Sequence, residues 1–109
     1  MISKSVVLRD TKDADGTRYL EASFNAEGDL VIEGQDLGPG VKEILGVNEY
    51  EWAWTISACD CDQLLVALGA KSNLLSAIGE RFAGERAGDL QPFLEAEGIR
   101  FEAWGRMGD

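Results

Sequence analysis

The chain contains no histidine, so the commonest general base is missing. Without histidine, neither a Ser–His nor a Cys–His nucleophile pair can form. The two cysteines, Cys59 and Cys61, are one residue apart, too close to join distant parts of the chain by a disulfide. Two thiolates also fall short of the four ligands that a structural zinc site uses. We therefore expect no cofactor, no metal site and no enzymatic activity.

Basic residues are also scarce. Ten Lys and Arg stand against twenty Asp and Glu, for a formal net charge of −10. Nucleic-acid binding draws much of its affinity from basic side chains that neutralise phosphates, so we expect no binding to DNA or RNA. Attachment to an anionic membrane surface is disfavoured for the same reason.

Long apolar runs are missing as well. No run approaches the ~20 apolar residues of a membrane span, and the N-terminal segment lacks the apolar centre of a signal peptide. With its cysteines too close together to link distant segments, the chain fits a reducing compartment. The sequence therefore predicts a soluble, cytoplasmic protein.

The 109 residues include only two prolines and contain no repeat, low-complexity tract or proline-rich linker. This length is near the commonest domain size, so we expect a single domain over residues 1–109. A chain of this size buries roughly two-thirds of the surface that its unfolded form exposes. It therefore needs neither a metal nor a disulfide to hold its fold together.

The first half of the chain predicts strands joined by turns. A short β-branched run at residues 6–8 precedes a turn at 13–16, where Asp-Gly chemistry favours a tight hairpin into a strand at 17–25. A further strand is predicted at 30–32. The three glycines and one proline of residues 34–40 predict a loop, and residues 41–47 are ambiguous between helix and coil.

The clearest pattern is an alternation of period two over residues 49–58. One predicted face carries Tyr50, Trp52, Trp54 and Ile56. A large aromatic side chain buries ~150–250 Å², so we expect this face to line the core and the opposite face, with Glu49 and Glu51, to lie in water. The alternative is an exposed aromatic platform, since Trp and Tyr dominate binding hot spots.

The second half predicts helices. Their predicted N-terminal caps are Asp60 or Asp62, then Ser72, then Asp89. Their predicted ends are Gly69, Gly84 and Gly98. A renewed alternation at residues 99–104 predicts a last strand. We therefore expect an α+β fold: a mostly antiparallel sheet of four to five strands with two to three helices packed on one face, in the order ββββαααβ.

Eight of the ten net negative charges lie within residues 27–62. An acidic surface steers a basic partner toward it and raises the association rate. The sequence therefore predicts a protein-interaction module, similar in role to an inhibitor or immunity protein, that presents carboxylates to a basic protein. The predicted binding residues are Glu33, Asp36, Glu43, Glu49 and Glu51, with Trp52 and Trp54 if either is exposed.

Two other interpretations of these acids stay open. The same carboxylates, grouped around the loop at 34–40, can bind a small molecule or a divalent cation. They can also be an ordinary solvated sheet face that supplies only solubility. An unpaired edge strand would additionally allow a homodimer.

Overall fold

The computed structural model describes residues 5–14, 16–39, 46, 49–71 and 73–108. Five strands form one sheet: β1 (Ser5–Asp13), β2 (Gly16–Phe24), β3 (Leu30–Leu37), β4 (Glu49–Ile56) and β5 (Glu102–Gly108). Between β4 and β5 lie α1 (Ala58–Ala67), α2 (Leu74–Phe82), a 3₁₀ helix (Gly84–Asp89) and α3 (Leu90–Ala96). The predicted α+β fold is confirmed.

The strands pair in the order β1-β2-β3-β4-β5, and every neighbouring pair is antiparallel. The predicted tight hairpin is confirmed, because Asp13 pairs with Gly16 across a two-residue turn and Gly16 has a φ of 133°. β5 returns to the sheet after the helices and pairs with β4. Within the described ranges, β1 and β5 are therefore the two edge strands.

The predicted loop at 34–40 is wrong in its first part. Residues 34–37 continue β3, and Gly34 pairs with Leu20 of β2 and Trp52 of β4. Of the remaining loop residues 38–40, Gly40 lies outside the described residues, as does most of the ambiguous segment 41–47. The glycine signal failed here because strands on both sides supply hydrogen-bond partners, which no local pattern records.

The last strand begins later than the alternation predicts. Ile99 is buried, and its N–H donates to the carbonyl of Leu94 at 2.9 Å. The N–H of Gly98 likewise donates to Glu95, at 3.2 Å. These residues close the C-terminal end of α3, so pairing with β4 starts only at Glu102.

The helices pack on the sheet face that carries the apolar residues of β1 to β4, here called the inner face. Trp52 and Trp54 lie on it, in register with Gly34 and Ile32 of β3, and pack partly buried against the core. The prediction that the aromatic face lines the core is thus confirmed. The buried core comprises Leu8, Leu20, Ala22, Leu30, Ile32, Ile56, Cys61, Leu64, Leu74, Ile78, Phe82, Ala87, Leu90, Leu94 and Ile99.

The helix caps differ from the predicted ones. Helix α1 begins after Ser57, whose hydroxyl oxygen accepts from the Asp60 N–H at 3.3 Å while its O–H donates to the Asp60 carboxylate at 2.9 Å. Asp60 is therefore inside the first turn of α1, where its carboxylate accepts a hydrogen bond from the capping residue in return. Helix α2 is capped by Asn73, and the predicted cap Ser72 lies outside the described residues. Asp89 precedes α3 without a side-chain capping bond.

No helix in the described part of the chain combines the length and apolar character needed to cross a membrane.

Candidate functional site on the outer face of the sheet

The sheet face turned away from the helices, here called the outer face, brings like charges together. Glu21 of β2 lies directly opposite Glu33 of β3, and the same row continues through Ala53 of β4 to Trp104 of β5. Carboxylates directly opposite each other on neighbouring strands repel. The fold holds this pair in place because the opposite sides of β2 and β3 bury Ala22 and Ile32 in the core.

The next row of the outer face contains hydrogen bonds between neutral and acidic side chains. Tyr19 donates its O–H to Oε2 of Glu21 at 3.0 Å, and Gln35 donates Nε2–H to Oε1 of Glu51 at 3.3 Å. The bond to Glu21 is the main cause that raises the pKa of Tyr19, followed by burial and by the negative charges of Glu21, Asp10 and Glu33. The negative charges of three carboxylates are therefore close enough to the Tyr19 hydroxyl to affect its pKa.

Arg106 of β5 forms ion pairs with two carboxylates of this face. Its Nη2 lies 3.6 Å from Oε2 of Glu51 and 3.9 Å from Oε1 of Glu49. The Arg106 side chain is 63% exposed, so these ion pairs are screened by water and hold Arg106 only weakly. Glu21 and Glu33 form no ion pair with any described residue, which leaves the centre of the face uncompensated.

A shallow depression of about 300 Å³ lies at this centre. Glu21, Glu33 and Glu51 line it, together with Tyr19 and Trp104. Trp104 is 55% exposed, although it is one of the largest apolar side chains in the chain. An aromatic ring beside carboxylates is a setting that attracts a Lys or Arg side chain, because the ring face and the acids both favour a cation.

The charge of the whole outer face follows from the register. Among the residues that the structure describes, two bases lie on it, Lys12 and Arg106. Six carboxylates lie on it: Asp10, Glu21, Glu33, Glu49, Glu51 and Glu102. The outer face is therefore strongly acidic, while no carboxylate of the described residues lines a cavity of about 550 Å³ on the inner face.

Three of the five predicted acidic residues are brought together. Glu33, Glu49 and Glu51 all lie on the outer face. Asp36 is not brought together with them, because it is three residues from Glu33 on the same strand and therefore lies on the inner face, in register with Arg18 and Tyr50. Glu43 lies outside the described residues.

Asp36 has its own environment on the inner face. Burial is the largest influence and raises the pKa of its carboxyl, while the charges of Arg18 and Arg9 act in the opposite direction. Trp52 and Trp54 lie on the same face as Asp36, although Trp52 also borders the acidic depression of the outer face.

Sequence reasoning missed Tyr19, Glu21 and Trp104. The alternation of β2 does place Glu21 opposite the apolar positions Ala22 and Phe24, so its exposure was readable. Its meeting with Glu33 and Trp104 was not readable, because it depends on which strands pair and in what register.

The described residues contain no group of three or more Asp, Glu or Cys side chains placed to hold a metal ion. Compared with known proteins, the chain matches no protein-family model, no curated protein and no solved structure.

Proposed function

We propose that this chain is a protein-interaction module whose outer face binds a basic partner protein. The observation that carries the proposal is the in-register pair Glu21 and Glu33, unpaired by any base among the described residues, at the floor of a depression beside the exposed Trp104. The proposed binding group of the partner is a Lys or Arg side chain that enters this depression.

The physical gain comes from two sources. A cation between Glu21 and Glu33 replaces their mutual repulsion by two attractions, so the charge pair that destabilises the free chain favours the complex. Trp104 adds a large, rigid contact surface at the rim, of the kind that dominates binding energies at interfaces. The surrounding carboxylates steer the partner in and speed its association, an effect that falls with salt.

The position of the charges, not their number, is what the test must isolate. The double variant Glu21→Lys/Glu33→Lys reverses the centre of the outer face. The matched control Glu85→Lys/Glu95→Lys reverses two exposed carboxylates in the helical part of the chain. Both variants change the net charge by the same amount, because each reversal adds two positive charges.

The experiment immobilises the wild type and both variants and captures partners from a lysate of the source cell at low and high salt. We expect a basic protein to be retained by the wild type and by the helical control, and to be lost from the outer-face variant and at high salt. Retention by all three chains, or equal loss from both variants, contradicts the proposal. Trp104→Ala should weaken the same capture without changing its salt dependence.

The proposal includes a cytoplasmic location, which the free thiols of Cys59 and Cys61 support. It also includes the absence of enzymatic activity. Self-association through an edge strand is a separate prediction that size-exclusion chromatography of the purified chain would check.

A further inference from the structure

A second cavity lies on the inner face, where the helical layer does not cover the whole sheet. Helix α2 and the 3₁₀ helix lie mainly over β1. On the side of β4 and β5 this leaves a groove of about 550 Å³ between the sheet and the start of α3. A volume of this order is typical of sites for small organic molecules.

Aromatic rings form one wall of the groove. The ring centroids of Trp52 and Trp54 are 4.6 Å apart with an angle of 36° between the planes, and Phe101 lies 5.4 Å beyond Trp54. Tyr50 continues the same row toward the beginning of β4. Trp52 and Trp54 pack against the core on one side and border the groove on the other.

Small residues keep that space open. Gly105 of β5 lies beside Tyr50, where an added Cβ would be only 3.2 Å from the tyrosine hydroxyl. Ala103, also on β5, lies opposite Trp54 and lines the groove with a single methyl group. A larger side chain at either position would fill the groove, so its opening depends on these two small residues.

One charged side chain borders the groove. Arg9 of β1 is partly buried, and its Nη2 lies close to Gly88 of the 3₁₀ helix, 3.9 Å from where a Cβ of that glycine would be. No described carboxylate lies within ion-pair distance of Arg9. The charge of Asp36 acts on it from nearby, but Asp36 is shared with Arg18, so this end of the groove has an excess of positive charge.

We propose that this groove binds a small planar aromatic carboxylate. Its ring system packs against Trp52 and Trp54, and its carboxylate accepts charge-assisted hydrogen bonds from the Arg9 guanidinium. The choice of an anion follows from Arg9 and the lack of described carboxylates in the lining; the choice of a planar ring follows from the aromatic wall. The acidic outer face repels the same ligand, although Trp52 and Trp104 border both cavities.

Three probes separate the parts of this proposal. Naphthoate has both the ring and the charge, naphthylmethanol has the ring alone, and cyclohexanecarboxylate has the charge alone. Each is titrated into the ¹⁵N-labelled chain, and the indole N–H signals are followed by NMR. We expect naphthoate to shift the indole signals of Trp52 and Trp54 saturably, together with that of Trp104, which also lines the groove. We expect the two partial probes to bind more weakly.

The chain offers matched variants. Arg9→Gln should weaken naphthoate binding about tenfold, as expected for the loss of a hydrogen bond between charged groups, and leave naphthylmethanol binding unchanged. Arg18→Gln removes the same charge beside Asp36 but outside the groove lining, and should leave naphthoate binding unchanged. Ala103→Leu should abolish binding by filling the groove, and its melting temperature shows whether the sheet is intact.

The results decide each part separately. Absence of saturable shifts at Trp52 and Trp54 at millimolar naphthoate overturns the site. Equal binding of naphthoate and naphthylmethanol, or equal weakening by Arg9→Gln and Arg18→Gln, overturns the anion assignment. Equal binding of naphthoate and cyclohexanecarboxylate overturns the aromatic assignment. None of these outcomes bears on the capture of a basic protein, because all three variants lie away from the outer face.

Discussion

Adding one methyl group at Gly34 should force the ring of Trp52 out of its place on the inner face. Gly34 pairs with Trp52 across β3 and β4, and the indole lies over the glycine backbone. A Cβ at Gly34 would overlap Cε2 and Cζ2 of the ring and lie 2.8 Å from Cη2. Carbon atoms in contact are about 3.5–4.0 Å apart, so the ring must move by about 1 Å or more.

The size of the effect follows from two opposing contributions. Crowding a packed aromatic ring costs about 1–3 kcal/mol. The φ of Gly34 is not positive, so alanine is compatible with its backbone and gains about 0.4–1 kcal/mol from the reduced entropy of the unfolded chain. We therefore expect Gly34→Ala to lower the free energy of unfolding by about 1–2 kcal/mol.

A double-mutant cycle isolates the cause. Trp52→Leu removes the ring atoms that the new Cβ would meet, so Gly34→Ala should be neutral or slightly stabilising in that background. The coupling between the two positions should be about 2 kcal/mol, within the range found for residues in direct contact. Urea unfolding followed by far-ultraviolet circular dichroism measures all four chains without relying on tryptophan fluorescence.

The control is the same substitution where space is available. An added Cβ at Gly88 would lie 3.9 Å from Nη2 of Arg9, an ordinary contact, so Gly88→Ala should change stability by less than about 0.5 kcal/mol in both backgrounds. Equal costs for Gly34→Ala with and without the Trp52 ring would refute the reasoning. They would locate the cost in the backbone of β3 instead.

Three further predictions concern other parts of the chain. Asn73 caps α2 with a φ of 57°, so Asn73→Ala should lower the free energy of unfolding by about 2 kcal/mol, because the cap is lost and the backbone is strained. Asn73→Gly should lower it by under about 1 kcal/mol, because Gly tolerates the positive φ. Urea unfolding in which Gly lowers stability more than Ala contradicts this. Cys59 is exposed, whereas Cys61 is buried, and burial is the main cause that raises the pKa of the Cys61 thiol. Iodoacetamide should therefore label Cys59 in the native chain and Cys61 only after unfolding, as peptide mass spectrometry would reveal. Burial raises the pKa of Asp36 above its usual 3.8, so the contribution of this carboxyl to stability is present below pH 3.8 and is lost as the pH rises through the folded-state pKa. Asp36→Asn should therefore be more stable than the wild type at about pH 7 and no more stable at about pH 3. The same stability difference at both pH values would argue against this.

The parts of the fold that were predictable are those fixed by local patterns. The alternation of β4 identifies its core face from the sequence alone, because the side-chain period of a strand is two. The hairpin between β1 and β2 is equally local, since it uses the positive φ that Gly16 adopts at the start of β2.

The parts that were missed depend on contacts between distant segments. Gly34 reads as a loop residue, yet it belongs to β3 because β2 and β4 pair with it on both sides. Because the predicted strand ended at residue 32, the alternation that places Glu33 and Asp36 on opposite faces of β3 was not recognised. Ser57 replaces the predicted Asp caps because Asp60 is already inside the first turn of α1.

The candidate site was half predictable for the same reason. Glu33, Glu49 and Glu51 could be identified as acidic residues near an aromatic strand. Their arrangement around a depression with Glu21 and Trp104 requires β2, β3 and β5 to be in register, and Trp104 lies on a strand that the helices separate from β4. No local pattern specifies that pairing.

The late return of β5 has a consequence for the order of folding. β1 to β3 are linked by short turns, whereas residues 57–101, which contain the helices, separate β4 from β5 along the chain. Closing the longer segment costs more chain entropy, so we expect β5 to join the sheet last and its amide hydrogens to exchange first. Trp104 is part of β5, so it reaches its final position only when this strand pairs with β4. A partner that needs Trp104 would therefore discriminate between finished chains and folding intermediates, and would recognise only molecules whose sheet is complete.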